Sequence, residues 1–307
     1  MRRIFSIFLL LLLTGCAAAP TPPPELPPPD EEPALTVNGR EVPLWLYRYW
    51  MNRACEQAEA ADQEHARRQA IADTALCAVV DAWAQDWGVA LTAEDHSQLE
   101  ILWQHRAETH GGEDAYLEFL AQQGLTGEQA RRLAETGQRY HRLHSAALDP
   151  DRPASPSDGE LAAFAQTADV LCAAQLRTAG DDARHRIEQL FSRLNAAPEP
   201  QAAFFQLAEQ EAAALPPQTF LAGDGTLPPA LENAVECLQP GQHSGILKAS
   251  DGFTILLRLP PEREALIPLW LDSQLLNAAK SAEIQMFPAL SESIICEGSV
   301  PAPGKFP

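Results

Sequence analysis

Apolar positions recur at helical spacing over most of the first half of the chain. Leu44, Tyr47, Trp50, Met51 and Ala54 predict a helix over 44–60, started by Pro43. Ile71, Ala75, Leu76, Val79, Val80 and Trp83 mark the buried face of a second over 62–87, ended by Gly88. A third begins at Thr92, where Thr92-Ala93-Glu94-Asp95 has the form of a capping box with Asp in the usual Glu or Gln place. It carries Leu99, Leu102 and Trp103 as its apolar positions, and Gly111-Gly112 stops it. Residues 113–148 read as a helix, a Gly-Leu break and a further helix capped by Thr126 with Gln129 three residues on. Ahead of them 35-LTVNGREV-42 alternates and turns at Asn38-Gly39, which predicts a short strand or hairpin arm. Residues 149–160 form a Pro/Ser/Asp linker, and Ser157 with Glu160 caps the short helix that follows.

After residue 169 the pattern changes. The run 169-DVLCAAQLRT-178 reads as a strand, and helices follow over 182–195 and 201–213. Residues 219–259 read as loop, helix, loop, strand, turn and strand, closing on 251-DGFTILLRLP-260. Thr254 is the one polar residue inside the apolar run of that last strand. Residues 264–287 read as a helix and 293-SIICEGSV-300 as a final strand. The predicted class is α+β, a mainly helical part over 35–156 with an α+β unit over 165–262 and a closing segment over 263–300.

The front of the chain is of another kind. MRRIFSIFLLLLLTGC has a basic start at Arg2 and Arg3 and an apolar run from Ile4 to Leu13, too short to span a bilayer. Leu13-Thr14-Gly15-Cys16 follows at once and resembles a bacterial lipobox. That reading makes 1–15 a lipoprotein signal peptide and Cys16 the lipidated residue that ties the chain to a membrane. The Pro-rich stretch 16–34 forms no core and reads as an extended spacer that holds a globular body off that membrane. Loss of the two leading arginines leaves 20 basic against 42 acidic residues, a charge of −22. Such a surface repels nucleic acid, which is excluded as a partner, and anionic head groups.

Chemistry is sparse. No G-x-S-x-G elbow, no HExxH and no phosphate-binding glycine loop is present, and no cofactor is implied. His141 and His144 stand three apart on a helix, a spacing compatible with a shared metal, but no third ligand joins them, so no metal site is assigned. Besides Cys16 the cysteines are Cys55, Cys77, Cys172, Cys237 and Cys296, none in CxxC spacing. Cys55 with Cys77 is the disulfide to test first, because both lie on early helices.

Two parts of the chain carry a family resemblance. Val37-Asn38-Gly39 and 116-YLEFLAQQGLT-126 make the helical part similar to the N-terminal domain of SurA- and PrsA-type secretion chaperones. Phe205-Gln206-Leu207-Ala208, 225-GTLPPALENA-234 and 238-LQPGQHSG-245 make 168–260 resemble a parvulin-type peptidyl-prolyl isomerase domain. The order of signal, anchor, helical domain, isomerase domain and returning helix covers almost the whole chain. It implies that the isomerase-like unit is an insertion, that 264–287 packs back on the early helices, and that 293–298 pairs with 35–40.

The resemblance also implies a site, and the sequence lacks its chemistry. An X-Pro bond turns over slowly against a barrier of about 18–20 kcal/mol. Parvulins are thought to lower it with an apolar proline pocket above two histidines, one on the first strand and one on the last. The matching positions here are Ala174 and Thr254, so neither imidazole is present. The glycine-rich loop before the pocket is replaced by 214-ALPPQTF-220. Phe220, Leu227 and Leu231, with Thr254, match the apolar pocket and are the substrate-binding candidates; as residues, the three apolar ones read equally well as core. The resemblance therefore implies an envelope lipoprotein facing the extracytoplasmic side, a chaperone that binds exported unfolded or Pro-containing polypeptides with isomerase activity weak or lost. Two alternatives stand beside it: an active isomerase with a rearranged site using Thr254 and Gln175, and a scaffold lipoprotein for one folded partner.

Overall fold

The structure is a computed structural model that describes residues 32–57, 63–210 and 214–287. The signal peptide, Cys16, the last predicted strand at 293–300 and the end of the helix read over 201–213 lie outside the described residues. The chain forms two compact units. One holds the described residues up to Asp149 together with those from Ser273 onward; the other is Pro150–Asp272. The first unit is thus discontinuous in sequence.

That unit opens with strands β1 (Pro33–Val37) and β2 (Arg40–Pro43), an antiparallel hairpin. Asn38 and Gly39 make the turn with φ of 50° and 77°, the left-handed backbone that a two-residue hairpin loop requires and that Asn-Gly tolerates best. β1 starts inside the stretch read as spacer. Its other edge pairs with β7 (Ile284–Met286), giving the order β2-β1-β7. This corrects the reading of 264–287 as one helix: helix ends at Ser281, and the chain turns back as a strand three residues later. Asn38 fixes the return, its backbone N–H donating to Glu283 O and its side-chain oxygen accepting from Glu283 N.

Five helices follow β2: α1 (Leu44–Gln57), α2 (Gln63–Asp86), α3 (Ala93–Thr109), α4 (Glu113–Gln122) and α5 (Gly127–Leu148). The capping boxes at Thr92/Asp95 and Thr126/Gln129 both form, each side chain taking the other's free backbone N–H. Of the predicted stripes, Tyr47, Trp50, Met51 and Ala54 on α1 and Ala75, Leu76, Val79 and Val80 on α2 are buried, while Leu44, Ile71 and Trp83 are half-buried; Leu133, Tyr140 and Leu143 of α5 are buried as well. Leu102 is an exception. It was expected on the buried face of α3 but is exposed, because Trp103 beside it takes the inward position. Cys55 is disulfide-bonded and Cys77 is a buried free thiol, so the two are not joined to each other. Burial pushes the Cys77 thiol up, out of the range where a thiolate forms.

The second unit begins at helix α6 (Asp158–Thr167), capped by Ser157 with Glu160. It continues with β3 (Val170–Ala179), α7 (Ala183–Ala196), α8 (Pro200–Gln210), β4 (Ala214–Leu221), α9 (Pro229–Glu236), β5 (Leu247–Ala249) and β6 (Gly252–Arg258). Helix α10 (Arg263–Ser281) closes it and carries on into the first unit. The strands form an antiparallel sheet in the order β4-β3-β6-β5. β4 replaces the loop expected at 214–220. Pro216-Pro217 conceals it in the sequence, since proline cannot donate to a ladder. Two features accommodate the pair: β4 is an edge strand, and the register shifts there, with Ala173 opposite Gln218 and Gln175 opposite Leu215.

β3 and β6 are central and covered on both sides, which is why they read as continuous apolar runs rather than alternating ones. One face packs Cys172, Ala174, Leu176, Ile255 and Leu257 against Ile187, Leu190 and Leu194 of α7 and Phe204 and Leu207 of α8. The other packs Leu171, Ala173 and Leu256 with Phe220, Leu227, Leu231 and Val235.

Candidate functional site

Residues two apart on a strand share a face, and neighbours do not. That rule decides what the sheet of the second unit brings together. Thr254 stands two residues from Leu256, on the face that carries Phe220, Leu227 and Leu231. Ala174 pairs with Leu257 and packs among Leu176, Ile187 and Leu190 on the opposite face. The two positions matched to the family's histidines are therefore separated by the thickness of the sheet. On β3 the residues that share the Thr254 face are Leu171, Ala173, Gln175 and Arg177; Gln175 pairs with Leu256, and Arg177 stands opposite Thr254 with its guanidinium on Asp251 at 2.6 Å. None of them carries an imidazole.

The face is also filled. Phe220, Leu227 and Leu231 are each buried and pack on Leu171, Ala173 and Leu256 with α9 above them. Thr254 is 0% exposed, and its hydroxyl donates to Leu176 O at 3.1 Å across the β3–β6 ladder. That hydrogen bond satisfies the one polar group in the strand, as burial demands. The hydroxyl is committed to the backbone; Phe220, Leu227 and Leu231 belong to one buried apolar cluster, and Thr254 is buried on the same face.

Other titratable groups of this unit lie elsewhere. His185 is exposed on α7 beside Gln189. His243 forms a bridge to Leu257, sets its ring edge-on to Phe191 at 5.9 Å, and its Nδ1 lies 2.9 Å from Ser244 O. Both belong to the α7 side of the sheet. Burial pushes the Cys172 thiol up, and it too faces α7 and α8. Ser244, part of the 238–245 motif, accepts from Leu256 N at 2.9 Å and donates to Gly245 O, which ties the loop before β5 to β6. Arg258 donates to the carbonyls of Val235, Glu236 and Leu238 and so holds the C-terminal end of α9 against the sheet. These are positioning contacts for the fold. Among the described residues no cluster of His, Cys, Asp and Glu is arranged to hold a metal ion.

The apolar surface that is open lies in the first unit. Ile101 is 62% exposed, Leu102 44% and Leu117 37%, on α3 and α4. The sequence signal for it was the pair Ile101-Leu102, too wide for the single inward stripe set by Leu99 and Trp103.

No family model matches the chain, and no curated protein matches its sequence. Among solved structures it is similar to PrsA from Bacillus subtilis, at 14% identity and a TM-score of 0.31 over 75% of this chain and 86% of that one. It is likewise similar to the foldase protein PrsA from Streptococcus pneumoniae, at 14% identity and 0.32 over 81% and 90%. A third likeness is to a structure of the SurA-like chaperones of Campylobacter jejuni, at 11% identity and 0.25 over 83% and 99%. At these scores the likeness carries no argument about function.

Proposed function

We propose that this protein is an extracytoplasmic chaperone that binds exported, unfolded polypeptides, held to a membrane through a lipidated Cys16, and that its parvulin-like domain over 165–262 has kept a fold without the isomerase chemistry. The lipobox-like Leu13-Thr14-Gly15-Cys16 and the Pro-rich spacer support the anchor. The motifs at 116–126, 225–234 and 238–245 support the chaperone class. One observation carries the loss of catalysis. On the face where a proline pocket would lie, Thr254 is wholly buried with its hydroxyl bonded to Leu176 O, and no histidine stands among the β3 residues of that face. A group that eases rotation about an X-Pro bond must reach the amide and hydrogen-bond or polarise it as its resonance is lost. The Thr254 hydroxyl, buried and committed to Leu176 O, does not.

A protease-coupled assay on X-Pro peptides tests the catalytic half. The proposal expects no rate above the uncatalysed one, and turnover comparable to ordinary parvulins contradicts it. Suppression of aggregation of a generic unfolded protein tests the other half. Failure to suppress it, with tight binding of one folded protein instead, favours a scaffold role.

A further inference from the structure

The second unit buries its apolar side chains, so clients need another surface. Among the described residues the large apolar side chains that stand exposed are Ile101, Leu102, Leu117 and Leu148, and all four lie in the first unit. Three of them sit on α3 and α4, two helices joined by a short turn. These helices carry a second feature. From Ala93 to Gln122 there are seven Asp or Glu against the single Arg106; Asp95 and Glu100 are paired with Arg142 and Arg131 of α5, which leaves Glu94, Glu108, Glu113, Asp114 and Glu118.

The two features are interleaved. Residues seven apart lie on one stripe of a helix, about 10 Å from each other along the axis. Glu94 and Glu108 thus flank Ile101 on either side of its own stripe. Glu113 and Asp114 stand four and three residues before Leu117, one turn away on the same face. Glu108, Glu113, Asp114 and Glu118 form no ion pair among the described residues. Exposed apolar side chains flanked along their helices by unpaired carboxylates attract a segment that offers apolar and cationic groups in alternation. The surface repels a second copy of itself, because two such faces bring like charges together.

We infer that the α3–α4 surface around Ile101, Leu102 and Leu117 is the client-contact surface, and that it selects extended segments mixing apolar residues with Lys or Arg. This rests on the chaperone reading and names the chemistry of its substrate. Acidic or neutral apolar segments bind weakly. Added salt lowers affinity, since the charges on both partners are exposed.

The test uses the full chain and short fluorescent peptides in which leucine alternates with lysine, serine or glutamate, read by anisotropy. The lysine peptide binds, the serine peptide binds less well and the glutamate peptide least. Ile101→Ser with Leu102→Ser weakens the lysine peptide about tenfold, as expected for removal of central apolar anchors. Both residues are exposed, so the double variant keeps its fold, which its circular dichroism and melting curve verify. Equal affinity for the glutamate and lysine peptides overturns the inference. So does an unchanged affinity in the double variant, or a concentration-dependent dimer that the double variant abolishes. The same variant separates the two levels. If it suppresses client aggregation as well as the parent does, the surface is wrong and the chaperone reading stands. If the parent suppresses none, both fail.

Discussion

Asp95 and Thr254 are both buried polar residues, and they illustrate opposite uses of burial. Asp95 is 1% exposed and accepts from Arg142 Nε at 2.9 and 2.8 Å, from Gln138 Nε2 at 2.6 Å and from Thr92 N at 2.7 Å. Burial works against its ionisation, but the hydrogen bonds from Arg142, Thr92 and Gln138 outweigh it and hold the carboxyl well below the usual carboxylate range. Its folded pKa is thus below its unfolded one. The stability it contributes is complete above the unfolded value of about 3.9 and is lost as pH falls from there through the folded value. Asp95→Asn should cost about 2–4 kcal/mol at neutral pH, measured by urea unfolding, and the gap to the parent should narrow below about pH 4. A gap that stays constant with pH contradicts this. Thr254→Val, in contrast, removes one neutral hydrogen bond at constant shape and should cost about 1 kcal/mol with no change in X-Pro turnover. At this scale the sequence revealed that Thr254 was unusual. It did not reveal that Ala174 faces the other way, because a one-residue slip in a motif match moves a side chain across the sheet.

At the scale of elements, sequence and structure agree where local chemistry decides. The three capping boxes, the Asn-Gly hairpin and strand β6 were all legible, since each depends on residues within a few positions of one another. β4 was not, because its prolines argue against a strand and only the edge position makes them tolerable. β7 was hidden for a similar reason: three residues after a long helix carry too little pattern to declare a strand. Gly252 gives the sharpest prediction here. A Cβ at that position would lie 1.9 Å from Thr178 O on the paired strand. Gly252→Ala should therefore force β3 and β6 apart at that end and destabilise the second unit by about 2–3 kcal/mol. Amide exchange should quicken at Thr178 and Ala179 first. Unchanged protection there would mean the strands do not approach so closely.

For the whole molecule, the α+β class follows from elements that the sequence locates, whereas the discontinuous helical unit was implied only by the family resemblance. What the sequence could not supply is which surfaces are filled. Leu227 and Leu231 suit a pocket or a core equally as residue types, and packing against Leu171 and Leu256 makes them core. Ile101 and Leu102 suit a buried stripe, and the structure leaves them exposed. Under the proposed chaperone role, these shift the candidate client surface from the second unit to the first. The central claim is a chaperone whose isomerase-like domain no longer catalyses. The most direct measurement adds the protein to a denatured client whose refolding is limited by a slow proline step and follows light scattering and recovery of the native signal together. The account predicts less aggregation with the slow refolding phase unchanged in rate. A faster slow phase that rises with protein concentration would contradict it.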